Sequence, residues 1–256
     1  MSPASSANDQ SPVPAAGASQ TDWSMIYDAA YGQEDHARAA WDQLARRYWP
    51  AIYAYIRRHG RDVDQASDLT QGFVCDVMLG RRLLAVADPR RGRFRTLLLT
   101  ALKNYIAERH RADTRRKRAP ADGKILELDG RGGEALVPTT TETPEGAFVA
   151  QWSVMLVQRV LDRVRQSCEA EGLGRHWSIF EARVVRPMLH GEPPTDYAVL
   201  VERFEVRDVA QAANMMITVK RRFARMLYDE VGQTVENVAD IDDELRVLMR
   251  ALERPA

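Results

Sequence analysis

The amino-acid sequence predicts an all-α protein made of two small helical domains joined by a flexible linker. Three observations carry this. Apolar residues recur at i, i+3 and i+4 along most of the chain, the spacing of one helix face. Convincing period-two runs and Asn-Gly hairpin turns are not found. Residues 119–147 are rich in Gly, Pro and Thr and have little periodicity, as a linker between domains does.

The elements follow in order. Residues 1–20, rich in Ser, Ala and Pro, bury too little apolar surface to offset their ordering entropy and read as a disordered tail. They have neither the basic nor the apolar region of a signal peptide. The first domain is expected over 21–118. Trp41, Leu44, Ala45, Tyr48, Ile52, Tyr55 and Ile56 form one helix stripe, ended by "RHGRDVDQ". Asp64 or Ser67 is the expected cap of the next helix, which carries Leu69, Phe73, Val77 and Leu84. After "ADPRRGR", a third helix sets Phe94, Leu97, Leu98, Ala101, Leu102, Tyr105 and Ile106 on one face. Beyond the linker, the second domain spans 148–231. It contains a helix ending at Gly172, another stopped or kinked at Pro187, a short helix over Asp196–Phe204 and a long one from Asp208. Residues 232–256 hold a short amphipathic tail helix with Ile241, Leu245, Leu248, Met249 and Leu252, expected to dock on its own domain or pack loosely.

Totals exclude some classes. Lys and Arg number 36 and Asp and Glu 36, so the net charge is zero and any electrostatic footprint is local. The two cysteines are far apart and read as reduced, mostly buried thiols, not a disulfide or zinc set. No apolar run approaches the roughly 18–20 residues of a membrane span. The expected setting is the cytoplasm, with no cofactor and no metal. The acids of "ADIDDE" (Asp240, Asp242, Asp243, Glu244) suit the start of the tail helix better than a nuclease metal site. No His, Ser or Cys constellation supports catalysis, so the chain is not read as an enzyme.

Two basic features stand out. Between Arg90 and Arg118 there are eleven Lys or Arg residues against two acids. A helix whose apolar face is fixed to a core can hold such cations rigidly against phosphates. The second feature is the helix from Asp208. Val209, Ala212, Ala213, Met216, Phe223, Met226 and Leu227 mark its apolar face. Gln211, Asn214, Thr218, Arg221, Arg222 and Arg225 line the other, and Lys220 joins them. Amide and guanidinium groups read base edges and phosphates. The short preceding helix and tight turn complete a helix-turn-helix layout.

With these residues in view, the chain resembles bacterial RNA polymerase sigma factors of the extracytoplasmic-function type, over about residues 22–231. "DLTQGFVCDVM" (68–78) resembles the motif of Asp, Leu, Gln and Phe in sigma region two, which grips the polymerase clamp. "DPRRGRFRTLLLTALKNYIAERHRADTRRKR" resembles the helix that opens and reads the downstream promoter element. "QAANMMITVKRRFARML" resembles the recognition helix of sigma region four. The resemblance implies that Asp68, Gln71 and Phe73 bind core polymerase. It implies that Arg93, Arg95, Lys103, Arg109, Arg111, Arg115, Arg116, Lys117 and Arg118 face downstream promoter DNA. Gln211, Asn214, Thr218, Lys220, Arg221, Arg222 and Arg225 would face the upstream element. The implied partners are core RNA polymerase and promoter DNA, with a free protein that is a monomer. Factors of this type are often held by an anti-sigma partner, although no segment points to one. Gly72 departs from the pattern, since many relatives carry an acid there. The turn over 204–208 also departs from the common helix-turn-helix turn. The alternative reading is a helix-turn-helix transcription regulator that does not bind core polymerase; it implies a dimer on a palindromic site.

Overall fold

In the computed structural model the described residues are 22–79, 83, 93–118, 143–235 and 237–252. The expected tail over 1–20, Leu84 and most of the expected linker lie outside them. Among the described residues every regular element is helical, as the fold class requires.

α1 (Asp22–Tyr31) leads into α2 (Glu34–Arg58). Glu34 and Asp35 in the first turn of α2 and Arg57 and Arg58 in the last complement the helix dipole. Its buried stripe holds the predicted Trp41, Leu44, Tyr48, Ile52, Tyr55 and Ile56. α3 (Val63–Phe73) is capped by Asp62, whose carboxylate accepts from the Gln65 N–H at 2.8 Å. The expected caps, Asp64 and Ser67, lie inside the helix. Asp62 takes the extended backbone that a capping residue needs, with φ −67° and ψ 178°. α3 runs on as a wider π-helical turn over Val74–Leu79.

α4 (Phe94–Arg118) docks by its predicted face. Phe94, Leu98, Leu102, Tyr105 and Ile106 are buried, and Leu97 and Ala101 half-buried. Each such burial is worth roughly 1.5–3 kcal/mol for a large aliphatic or aromatic side chain. Phe94 meets Tyr48 of α2 edge-on at 5.3 Å, and Tyr105 meets Phe73 of α3 at 5.5 Å.

α5 (Pro144–Ala170) starts four residues inside the expected linker. Thr143 caps it by accepting from the Gly146 N–H at 3.0 Å, and Pro144 fills the first turn, where its missing N–H costs nothing. α6 (Gly174–Phe180) passes through a π-helical turn over Glu181–Val185 into α7 (Arg186–His190). The Arg186 N–H donates to the Glu181 carbonyl, five residues back. That wider turn lies directly before Pro187, whose ring would crowd the carbonyl of Arg183 in a regular helix. α8 (Tyr197–Phe204), α9 (Val209–Gly232) and α10 (Ile241–Leu252) complete the chain.

α2 packs most extensively on α5, and α5 also carries α9 and α10. One apolar cluster runs from Met25 of α1 through Ile52, Phe94, Leu156 and Val160 to Leu248 of α10. The boundary expected over 119–147 is therefore not a break in the core. α10 docks on its own chain through Ile241 and Leu248. Cys168 is buried as expected, whereas Cys75 is exposed, because the π-helical turn after α3 puts it on the outer side. No helix among the described residues is long and apolar enough to cross a membrane.

Candidate nucleic-acid interface

α8 and α9 are joined by a four-residue turn. Asp196 caps α8 by accepting from the Ala198 N–H at 3.0 Å. Glu205 closes α8 in the left-handed region, φ 51°. Val206 then turns inward and joins Ile179, Ala182, Leu200, Ala212 and Met215 in a small second core. Asp208 caps α9, accepting from the Gln211 N–H at 2.7 Å. The turn thus differs from the expected pattern yet sets the start of α9 at Val209. Buried on α9 are Ala212, Met215, Val219, Leu227 and Val231. Val209, expected on the apolar face, is half exposed, because it lies at the helix start beyond the small core.

The expected reading residues divide. Asn214, Thr218, Lys220, Arg221 and Arg225 are exposed; Asn214, Thr218, Arg221 and Arg225 share the face of α9 away from the second core, and Lys220 lies to the side of it. The Thr218 hydroxyl donates to the Asn214 carbonyl at 2.9 Å, which leaves its lone pairs outward. Gln211 is exposed, but its side-chain oxygen accepts from the Arg207 N–H at 2.8 Å. That bond and the Asp208 bond fasten the helix start from both sides. A bidentate contact to adenine needs both ends of the amide, so Gln211 offers only its NH2 in this arrangement. Arg222 turns inward. Its guanidinium holds both oxygens of Glu171 at 2.8 and 2.6 Å and the Ser167 hydroxyl at 2.7 Å. The hydrogen bonds from Arg222 hold the Glu171 carboxyl below its ordinary pKa. Arg222 therefore ties α9 to the end of α5 and does not belong to the outward row.

On α3, Asp68 and Gln71 lie one turn apart and are both exposed. Phe73 is fully buried against Tyr105, so it shapes the core and not the surface. Gly72 has a steric cause. A Cβ there would sit 2.4 Å from the Tyr105 hydroxyl, far inside contact distance. Arg109 stacks on the Tyr105 ring, 5.0 Å from its centroid, and pairs with Asp76 at 2.7 Å. Burial pushes the Tyr105 hydroxyl above its usual pKa, with Arg109 opposing that shift.

The cations of α4 also divide. Arg93 and Arg95 both hold the carboxylate of Glu244 on α10. Lys103 pairs with Glu145 at 2.8 Å, with both side chains still about half exposed. The hydrogen bond from Lys103 keeps the Glu145 carboxyl below its ordinary value. Arg111 is exposed. Arg115, Arg116, Lys117 and Arg118 lie on the last turn of α4, and their side chains are outside the described part of the structure.

One basic feature was not foreseen from sequence. A groove of about 630 Å³ lies between the end of α2 and α4, with His59, Arg61, Lys103 and His110 on its walls. Helical periodicity orders residues within an element and does not bring the end of α2 beside α4. No group of three or more His, Cys, Asp or Glu side chains suited to a metal ion occurs among the described residues. "ADIDDE" is not such a group, since Glu244 faces Arg93 and Arg95, and Asp243 pairs with Arg246.

The arrangement offers hydrogen-bond donors and guanidinium groups outward along α9, an exposed polar pair on α3, and on α4 the exposed Arg111 beside the half-exposed ion pairs of Lys103 and Arg109. Comparison with protein-family models, curated proteins and solved structures finds no match to this chain.

Proposed function

We propose that the chain is an initiation factor of the extracytoplasmic-function sigma type, which binds core RNA polymerase and directs it to promoter DNA. In this reading the α3 surface at Asp68 and Gln71 meets the polymerase. The basic flank of α4 holds the promoter near the start site and favours strand opening, whose unstacking cost is offset by phosphate contacts. Asn214, Thr218, Lys220, Arg221 and Arg225 of α9 read the upstream element. The two blocks present two promoter-binding surfaces on one continuous core, so contact at one surface brings the other to the DNA. The setting is cytoplasmic, and the factor performs no bond-making chemistry of its own.

The observation that carries this reading is the outward row on α9, set on a capped helix behind a helix-and-turn with its own small core. The exposed pair on α3 supports the polymerase contact. A second reading, a helix-turn-helix regulator that ignores core polymerase, is favoured by a different observation. Arg93 and Arg95 are turned onto Glu244, while Arg221 and Arg225 of α9 are exposed.

In vitro transcription separates the two. Core polymerase from the source organism, with genomic DNA fragments as template, should yield transcripts from discrete starts only when the protein is added. A protein that binds those fragments yet produces no transcript would sustain the regulator and contradict the sigma reading.

A further inference from the structure

The Arg93–Arg95 pair is a built anion receptor that already holds an occupant from its own chain. Glu244 has a fully buried side chain, 0% exposed. Its oxygens accept from Arg95 Nε at 3.0 Å and Nη2 at 2.8 Å, and one of them forms an ion pair with Arg93 Nη1 at 2.7 Å. Arg95 in turn lies over the Trp152 ring of α5, 5.0 Å from its centroid, which fixes the direction of its fork. Two guanidinium groups thus face one carboxylate. A forked guanidinium recognises a phosphate by the same pair of parallel hydrogen bonds that it gives a carboxylate. The carboxylate sits on the first turn of α10, a short amphipathic helix anchored chiefly by Ile241 and Leu248 and exposed at Met249.

We propose that Glu244 is an intramolecular stand-in for a DNA phosphate, so that α10 keeps the start of α4 closed to nucleic acid until a phosphate displaces it. This rests on the reading of α4 as a DNA-facing helix. It adds a regulatory state: closed, with Arg93 and Arg95 on Glu244, and open, with both arginines on the nucleic-acid backbone.

The first test uses the wild-type full chain and a random-sequence DNA duplex of about 30 base pairs, long enough to span several phosphate contacts. Amide hydrogen exchange over residues 241–252 should speed up when the duplex is bound, while α9 becomes protected. Protection of α9 with unchanged or slower exchange in 241–252 would overturn the proposal. The second test is Glu244→Gln, which keeps the side-chain volume and removes the charge. It should tighten duplex binding about tenfold at low salt, because no carboxylate has to be displaced, with the salt slope of the wild-type complex, in which both arginines already meet phosphate. Arg93→Ala with Arg95→Ala in the Glu244→Gln background should cancel the gain in affinity and flatten the salt slope by roughly 1.8, for two fewer phosphates at about 0.9 each. Unchanged affinity in Glu244→Gln would sink the latch while leaving DNA binding by α9 intact. Should neither wild type nor Glu244→Gln bind the duplex at all, the DNA-binding reading falls and the latch falls with it. If Glu244→Gln does not fold, the wild-type exchange measurement still decides.

Discussion

Gly72 shows how one atom outweighs a propensity. Alanine in a helix interior is favoured over glycine by about 1 kcal/mol. Here its Cβ would meet the Tyr105 hydroxyl at 2.4 Å, and the ring is held by Phe73 on one side and Arg109 on the other. Overpacking of this kind costs about 1–3 kcal/mol, so the clash wins. Gly72→Ala is predicted to lower Tm, and in a Tyr105→Phe background the same change should be neutral or stabilising. A Gly72→Ala protein with raised Tm and intact Tyr105 would show that the ring moves freely. Tyr48 gives a pH signature. Burial, the largest cause, pushes its hydroxyl up to about 12, and burial does the same to Tyr55. The folded value lies above the ordinary phenol value of about 10, so the stability it contributes is fully present below that pH. It is lost as pH rises through about 12. The urea midpoint should be flat near neutrality and fall between about pH 10 and 12, less steeply in Tyr48→Phe. A midpoint constant through that window would contradict the burial of these phenols as neutral groups. The apolar stripe foretold the burial of Tyr48 and Tyr55, whereas the steric role of Gly72 was not open to a one-dimensional reading, because it depends on what the next helix places opposite.

At the scale of elements, α5 and α9 are joined by a buried carboxylate. Glu230 is 3% exposed and pairs with Arg163 at 2.8 Å and Arg159 at 3.2 Å. Removing it takes the Glu230 carboxylate away from two partly exposed guanidinium groups. Glu230→Ala is therefore predicted to cost about 1.5–3 kcal/mol in chemical denaturation, the range for hydrogen bonds to charged groups, since both guanidinium groups keep access to water. A loss below about 1 kcal/mol would place the pair among exposed ones. The apolar stripe of α4 was legible because its 3.6-residue spacing is nearly complete. The start of α5 was not, since Thr143 and Pro144 look like loop residues by composition and like a helix start only when read as a cap. Thr143→Ala should cost about 1 kcal/mol and Thr143→Ser almost nothing. Equal losses in both would remove the cap from the account. The outward row of α9 was readable from its spacing, but Arg222 was not separable from Arg221 and Arg225. Only the end of α5, with Glu171 and Ser167, decides which guanidinium turns in.

Across the whole molecule, the helical class was legible throughout, while the relation of the two blocks was not. Nothing in residues 21–118 announces that α2 will lie along α5, because both stripes are ordinary apolar faces and each could have been satisfied within its own block. The shared core gives a direct expectation. Residues of α2, α4, α5 and α10 form one apolar cluster, so heat should unfold them in one step. Scanning calorimetry is predicted to show a single transition with calorimetric and van't Hoff enthalpies in agreement; two separated transitions would contradict a continuous core. The functional proposal is carried by surfaces on opposite blocks, Asp68 and Gln71 on α3 and the row on α9. Its central claim is the engagement of core polymerase, and the most direct measurement is size-exclusion chromatography of the purified protein with core RNA polymerase from the source organism. The account predicts co-elution at one-to-one, lost in Asp68→Ala with Gln71→Ala while that variant keeps its thermal stability. Elution of the wild-type protein apart from the polymerase would contradict it.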